Sequence, residues 1–464
     1  MTAVDAGRKR YLAFVAFLTL FALALRLALF GLGPWQDGDR ALRDDSRRYV
    51  LLTHNLVDFH AFGKSVEDGL MHQAVERLRA SNGTEPRRDA RGLMPESFRT
   101  PGYPAFLAGV FSVRDDLRAA VLVQCVLGAL GTVLVVLIAQ GLGLSSTAAL
   151  IAGFLWAVHP ALVLYDNLIL TESLFNFAAL VAIAIACRAS GPVGSIAAGL
   201  VLGLTGLIRP VGLAYVPLAI AAGSGRQPRR WFSAFLLVTA AILPSAMWAA
   251  RNRAVGEGFR VSTVGDLNLL FYSAAFMDSE ERGDDWLTSW PRRVSEMEDD
   301  LAGRLQPGED VISAARRLAL SKMLARPALA AKVHAKSQVK LLVDHSAGDF
   351  AAVLGREYRP TGLFSRLVLG GNQQNQGGDT GQVVAVLAWL ILNVVILSGA
   401  ALGVLLGLWR RGYRLLLGCV LTIGLLMAAT GCVGLERFRL PMMLPLFLLA
   451  ASVRGLRTNP TNTV

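Results

Sequence analysis

Long apolar runs alternate with two long polar stretches along this chain of 464 residues. A helix of about 20 apolar residues crosses a bilayer. By that measure the pattern predicts ten spans, at 11–33, 118–142, 147–165, 171–188, 193–209, 211–224, 232–250, 383–408, 414–431 and 438–453. The 211–224 run is short and must pack inside the bundle. The polar stretches cover 35–118 and 251–380. The first holds Asp44, Asp45, Glu67, Asp68, Arg87, Arg88 and Arg91, too many charges to enter hydrocarbon. Near its end, 101–113 is apolar but too short to span, which predicts a helix lying at the interface. The expected fold class is an all-α integral membrane protein of about ten transmembrane helices, with a long first loop containing interfacial helices. Three regions follow: a membrane core over 1–255 that includes the loop 35–118, a region of unknown role over 256–380, and C-terminal transmembrane helices over 381–464.

Charge fixes the expected orientation. Arg8, Lys9 and Arg10 precede the first run, and Pro34 and Trp35 follow it in place of a small-residue cleavage site. The run reads as a retained anchor with its N-terminus in the cytoplasm. The short loops then expected inside carry Arg188, then Arg226, Arg229 and Arg230, then Arg410 and Arg411, then Arg454 and Arg457, with no acid among them. Both long polar stretches fall outside.

Composition agrees. At 53% hydrophobic and 17% charged, a soluble protein could not cover its surface with polar groups. The net charge of +12 reads as cytoplasmic-loop arginine facing anionic membrane lipids, with no nucleic-acid partner. The 4 cysteines and 6 histidines are dispersed, so no disulfide framework or metal motif emerges.

This topology gathers the unusual residues on one side: Asp45, Arg99, Asp166, Glu172, Arg209, Arg251, Glu436, Arg437 and Arg439. Ionisable groups at membrane depth are expensive and usually functional. Two acids and several arginines suit transfer of a sugar from a lipid phosphate. A carboxylate takes the proton of the attacking hydroxyl while an oxocarbenium-like state forms. Guanidinium matches the leaving phosphate. No nucleotide donor exists outside a bacterial cytoplasm, so the donor is expected to be lipid-linked.

The same residues carry a resemblance. Asp45-Ser46-Arg47-Arg48-Tyr49, with Asn55-Leu56 and Phe62-Gly63, resembles the first external loop of membrane GT-C glycosyltransferases of the family-39-like branch. That branch holds protein mannosyltransferases, aminoarabinose transferases and their bacterial relatives. Arg99-Thr100-Pro101-Gly102-Tyr103-Pro104 is similar to its basic, proline and aromatic segment, and Leu170 to Phe175 to its second acidic motif. Arg209-Pro210, Arg251-Asn252 and the segment from Glu436 to Pro441 sit where relatives have similar pairs.

The resemblance implies a GT-C fold. It also implies inverting transfer from a polyprenyl-phosphate sugar donor to a lipid, glycan or protein hydroxyl, at the outer face of the cytoplasmic membrane. It makes Asp45 the general base, with Asp44 as the competing assignment one residue away. Glu172 takes the second acidic position, where many relatives have aspartate. Arg99, often lysine in relatives, and Arg437 become contacts to the donor phosphate, joined by Arg251 and Arg209. Tyr49 and Tyr103 fall at substrate-contacting positions. His345, in Asp344-His345-Ser346, adds a candidate substrate contact. No cofactor is required with certainty; a divalent metal stays open, because two acids without a third ligand define no site. The competing readings are a secondary transporter or lipid flippase of the cell envelope, or a non-catalytic membrane subunit. A transporter is expected to show internal repeats and mid-membrane charge, and neither stands out.

Several features have plainer readings. Asp37-Gly38-Asp39 spells a metal-binding DxD that occurs often by chance, and Asn82-Gly83-Thr84 a glycosylation sequon with no meaning in a bacterial host. Gly128, Gly131, Gly203 and Gly206 offer close helix packing. His159 beside Pro160 marks a kink, and Asp166 a polar turn.

Overall fold

The computed structural model describes residues 3–33, 42, 45–64, 69–85, 88–188, 191–223, 230–356, 380–409, 412–431 and 435–455. Asp44, Asp37, Asp39, Glu67 and Asp68 lie outside the described residues. The described chain is helical apart from one two-stranded antiparallel ribbon.

The first apolar run forms helix α1 (Ala3–Leu32). The loop after it holds α2 (Ser46–Phe59), strand β1 (Gly63–Lys64), α3 (Leu70–Ser81), strand β2 (Met94–Pro95) and α4 (Gly102–Phe111). The short apolar segment at 101–113 is therefore a ten-residue helix. Next come α5 (Leu117–Gly141), α6 (Ser146–Val158), α7 (Pro160–Tyr165), α8 (Glu172–Arg188) and α9 (Gly191–Ile208). Asp116 caps α5 by accepting from the Arg118 N–H, and Ser145 caps α6 by accepting from that of Ala148. The expected span 147–165 is broken at His159, where the backbone turns extended and Pro160 opens α7.

A 3₁₀ turn (Pro210–Tyr215), α10 (Val216–Gly223) and α11 (Arg230–Ala254) complete this part. The polar stretch that follows holds α12 (Val264–Asn268), a π-helical turn (Leu269–Ala274), α13 (Ala275–Arg282), α14 (Trp286–Ala302), α15 (Val311–Ala325), α16 (Pro327–Val343) and α17 (Ala347–Val353). The chain closes with α18 (Thr380–Trp409), α19 (Tyr413–Ala429), the 3₁₀ turns Glu436–Phe438 and Leu440–Met442, and α20 (Met443–Ser452).

Among the described residues, five segments have the length and apolarity to cross a membrane: Asp5–Leu32, Leu117–Gly141, Gly191–Ile208, Trp231–Ala254 and Val384–Trp409. These make the chain a multi-pass membrane protein. The other five expected spans form shorter or broken helices, so the count of ten does not follow from helix length. Prolines explain part of the shortening: Pro160 and Pro441 each start a new turn inside an expected span, and Pro210 opens the 3₁₀ turn that takes up much of the 211–224 run.

Two cores hold the molecule. The larger joins the apolar helices. The smaller joins Met71, Val75 and Leu78 of α3 and Phe98 to residues of 267–319. Parts of the two polar stretches thus pack on each other as one helical bundle. Close packing of the apolar helices depends on small residues. A side chain at Gly203 of α9 would lie 2.5 Å from the Ala241 carbonyl of α11.

An ion pair is buried among the apolar helices. Arg26 of α1 is fully buried and donates through Nε to Asp166 Oδ2 at 2.7 Å, and through Nη1 to the Ala22 and Ala157 carbonyls. Asp166 is thus more than a polar turn residue: it neutralises a buried arginine. A Cβ at Gly128 of α5 would lie 1.9 Å from Asp166 Oδ2 and 2.6 Å from Arg26 Nε. Gly128→Ala should therefore destabilise by about 1–3 kcal/mol, and by about 3–5 kcal/mol if the pair separates. Gly109→Ala, on an exposed face with nothing within 4 Å, should be neutral or slightly stabilising. Thermal melts of the two variants in detergent check this; equal melting temperatures would show that the pair yields without cost.

Candidate active site

The site grows from the residue that precedes α2. Asp45 flanks the helix N-terminus, yet its side chain makes no capping bond. The carboxylate turns instead to two guanidiniums. Arg99 Nη2 donates to Oδ1, and Arg437 Nη2 donates to Oδ2 at 2.8 Å. Arg437 reaches further, its Nε lying 3.5 Å from Glu172 Oε1. Arg209 Nη1 donates to the same Glu172 oxygen at 2.6 Å. Five segments remote in sequence thus meet in one net of two carboxylates and three guanidiniums.

Each arginine is aimed by local structure. Glu96 Oε1 accepts from the backbone N–H of Phe98 at 2.5 Å and of Arg99 at 2.8 Å, which turns the chain after β2. The Arg99 guanidinium rests on the rings of Phe98 (4.7 Å) and Tyr49 (5.3 Å). Arg209 lies by Phe175 and Phe438, at 5.7 Å from each ring. Arg437 occupies a 3₁₀ turn held by its buried neighbour Glu436. That carboxylate accepts from Trp389 Nε1 at 2.8 Å, from the Ser346 N–H at 2.6 Å and from Arg439. The Glu436 N–H in turn donates to Asp344 Oδ2 at 2.9 Å.

Tyr49 lies one turn beyond Asp45 on α2, beneath the Arg99 guanidinium. Tyr103 sits differently from its expected role as a substrate contact. It is fully buried, its hydroxyl donates to Gln124 Oε1 at 2.7 Å, and its ring supports the Tyr49 ring edge-on at 5.0 Å. Arg251 also stands apart from the net. Its guanidinium donates to the Glu96 and Phe62 carbonyls and rests on Trp248, clamping the ribbon. His345 has its Nδ1 3.4 Å from the Ala347 N–H, and burial with Arg439 pushes it down to about 4, so it stands neutral.

Sequence reasoning missed three supports. Arg48 adds a positive charge beside Asp45 and bonds His72 Nε2 at 2.6 Å. Burial with Arg48 lowers His72, which keeps it neutral. Glu96 and the paired Arg26 had one readable signal each, an acid just before the Arg99 motif and a lone arginine in an apolar run.

The electrostatics favour an anion. Three guanidiniums face two carboxylates, and Arg48 adds to the excess. The Arg99 Nε–H is buried with no hydrogen-bond acceptor among the described residues, and that of Arg437 has only the Glu172 carboxylate at 3.5 Å, too loosely placed for a hydrogen bond. Buried donors of this kind call for an acceptor oxygen. A divalent cation fits less well. Both carboxylates already hold guanidiniums, and among the described residues no three His, Cys, Asp or Glu side chains come together.

No protein-family model and no curated sequence matches the chain. Solved structures resemble it. The Archaeoglobus fulgidus oligosaccharyltransferase in its apo form matches at 15% identity and a TM-score of 0.47, over 97% of this chain and 52% of that one. The archaeal oligosaccharyltransferase AglB from the same organism, in complex with an inhibitory peptide and a dolichol-phosphate, matches at 15% and 0.45, over 96% and 50%. ArnT from Cupriavidus metallidurans bound to undecaprenyl phosphate matches at 13% and 0.37, over 95% and 78%. The chain spans about half the length of the oligosaccharyltransferases it matches.

The site carries a pH signature. Burial alone would raise the Asp45 carboxyl, but Arg99, Arg437 and Arg48 outweigh it and hold it well below the usual carboxylate range. A folded-state value below the unfolded one gives stability that is present above the unfolded value, about 3.9, and lost as pH falls below it. The melting-temperature gap between the wild type and Asp45→Asn should therefore stay constant from about pH 7 to 5 and shrink below about pH 4. Thermal melts across that range check it. A gap that shrinks already between about pH 7 and 5 would mean that Asp45 titrates near neutrality and is not so held.

Proposed function

We propose that this chain is a membrane glycosyltransferase. It moves a sugar from a polyprenyl-phosphate donor to a hydroxyl of a lipid, glycan or protein, with inversion, at the outer face of the cytoplasmic membrane. The observation that carries this reading is the Asp45 carboxylate shared by Arg99 and Arg437, with the Arg99 Nε–H buried and without a hydrogen-bond acceptor among the described residues. A phosphate oxygen supplies the missing acceptor, and guanidinium grips it in a fork.

The chemistry balances on those three side chains. The acceptor oxygen attacks the sugar C1 as Asp45 takes its proton. The bond from C1 to the phosphate oxygen breaks, and the phosphate keeps the electron pair. Asp45 loses a negative charge while the phosphate gains one. Arg99 and Arg437 touch both places, so the positive charge that first balances the carboxylate then balances the leaving group without moving far. Glu172 holds Arg437 and Arg209 in place for this. In the resting site Asp45 is a weak base, because its guanidiniums stabilise the ionised form. A phosphate that draws them away raises its basicity, so donor binding readies the base.

This makes an unusual expectation for a base. Asp45→Asn should lower transfer at least about 100-fold. It should also tighten binding of a polyprenyl phosphate, because the carboxylate that competes for Arg99 and Arg437 is gone. Turnover assays and titration in nanodiscs check both halves. An active Asp45→Asn variant would remove the base assignment; an inactive one with weaker phosphate binding would keep the base and refute the competition.

Arg99 tests the contact to the donor phosphate. Arg99→Ala should raise donor KM and lower kcat, and Arg99→Lys should recover part of each, since the charge returns without the fork. Unchanged donor kinetics with poor membrane insertion would make Arg99 an interfacial anchor.

A further inference from the structure

The bundle formed by the two polar stretches leaves aromatic side chains partly exposed at the edge of its core. The π-helical turn Leu269–Ala274 points Leu270, Phe271, Ser273 and Ala274 into the core and leaves Tyr272 half-exposed. Trp286 and Trp290 of α14 are half-exposed beside it. Tyr272 stacks on Trp290, with ring centroids 5.5 Å apart and planes 30° apart, and lies 6.2 Å from Trp286. Phe276 braces Trp286 edge-on at 5.0 Å. Trp290 is fixed in place, its Nε1–H donating to the Phe271 carbonyl at 3.2 Å. A π-helical turn inserts an extra residue and often marks a functional position.

This wall adjoins the charged net. Phe98, whose ring carries the Arg99 guanidinium, belongs to the core on which Tyr272, Trp286 and Trp290 pack. The segment is tied down there as well, the Ser262 hydroxyl donating to the Phe98 carbonyl at 2.6 Å and the Thr263 N–H to that of Ser97 at 2.9 Å. The charges acting on the Tyr272 phenol are those of Asp45, Arg99 and Arg437.

We propose that Tyr272, Trp286 and Trp290 form a subsite for a sugar ring of the acceptor, so that the hydroxyl brought to Asp45 belongs to a glycan. The proposal rests on the transferase reading above. A pyranose has one face of C–H groups, which packs on the electron-rich face of an aromatic ring, and a rim of hydroxyls that stays wet. Half-exposed rings beside a polar site suit that division. A lipid tail does not fit, because the rings belong to the bundle formed by the two polar stretches. The donor sugar enters beside its phosphate from the membrane, so a ring reaching this wall comes from the other side. A peptide would look for a backbone edge, whereas the wall is helical and its Trp290 donor is already used.

The test uses the full chain in nanodiscs. The probes are tetrasaccharides of mannose, galactose, glucose and N-acetylglucosamine, with a serine- and threonine-containing hexapeptide for comparison. Saturation-transfer NMR should pass magnetisation from aromatic protons to the ring protons of at least one saccharide and not to the peptide. Trp286→Leu and Tyr272→Leu should each weaken that binding by about tenfold, with the affinity for a polyprenyl phosphate unchanged. Asp45→Asn should bind the saccharide as the wild type does. If no saccharide receives transfer, or only the peptide does, the proposal falls on the wild type alone, whatever the variants' folding. Wall variants that bind saccharide normally, or that weaken only the donor, also overturn it. Saccharide binding by a wild type that transfers no sugar would instead overturn the transferase reading, and with it the acceptor role.

Discussion

Asp45 holds two guanidiniums that come from opposite ends of the chain, Arg99 in the first polar stretch and Arg437 before the last helix. Like charges do not gather in a low-dielectric setting without compensation. The carboxylate makes the gathering possible, and Glu172 extends it to Arg209. Breaking such a pair by removing one partner leaves an uncompensated charge, which costs more than the intact pair contributes. The arrangement is therefore poor evidence for stability; what it does is concentrate positive charge around two carboxylates.

The surrounding structure serves that net. The buried Glu436 carboxylate ties the turn carrying Arg437 to Ser346 and Trp389, so the last polar stretch and α18 share in placing it. Arg439 completes the clamp by donating to Glu436 and to the carbonyls of Leu341, Leu342 and Asp344. On the other side Gln124 links Tyr103, under Tyr49, to the Asp166 and Leu168 carbonyls beyond α7. Asp166 is itself anchored by Arg26. Buried polar groups with their partners satisfied rigidify a core, and these chains lead from the interior of the apolar bundle to the edge of the site.

Some of this was legible along the chain and some was not. The runs predicted at 118–142, 171–188 and 193–209 lie close to α5 (Leu117–Gly141), α8 (Glu172–Arg188) and α9 (Gly191–Ile208), because a sustained apolar run with a capping residue or a basic end marks a helix directly. The kink at Pro160 and the turn at Pro210 were marked by their prolines, whereas the break at Pro441, inside the expected span 438–453, was not. Hydropathy sums composition and does not register a lost backbone hydrogen bond. Among the site residues, Asp45, Arg99, Glu172, Arg209 and Arg437 stood out because each is an ionisable group beside an apolar run. The same rule pointed to Arg251, which clamps the β ribbon. Charge beside a membrane is a property of sequence, but the direction of a guanidinium is not.

The sequence alone determined that this chain enters a membrane, since its apolar runs are too long and its charges too few for anything else. It also determined which few ionisable residues pay to lie near that membrane. Only the tertiary structure decided which of them meet. Arg26 finds Asp166 across 140 positions, and Arg437 finds Asp45 across 392. Only the tertiary structure, too, packs part of the second polar stretch onto the first and puts Tyr272 and its tryptophans on the core that holds Phe98. The physical reason is range. Hydropathy and helix signals act over a few turns of chain, whereas ion pairing and ring stacking act over a few ångströms of space, and only the packed helices convert the one into the other.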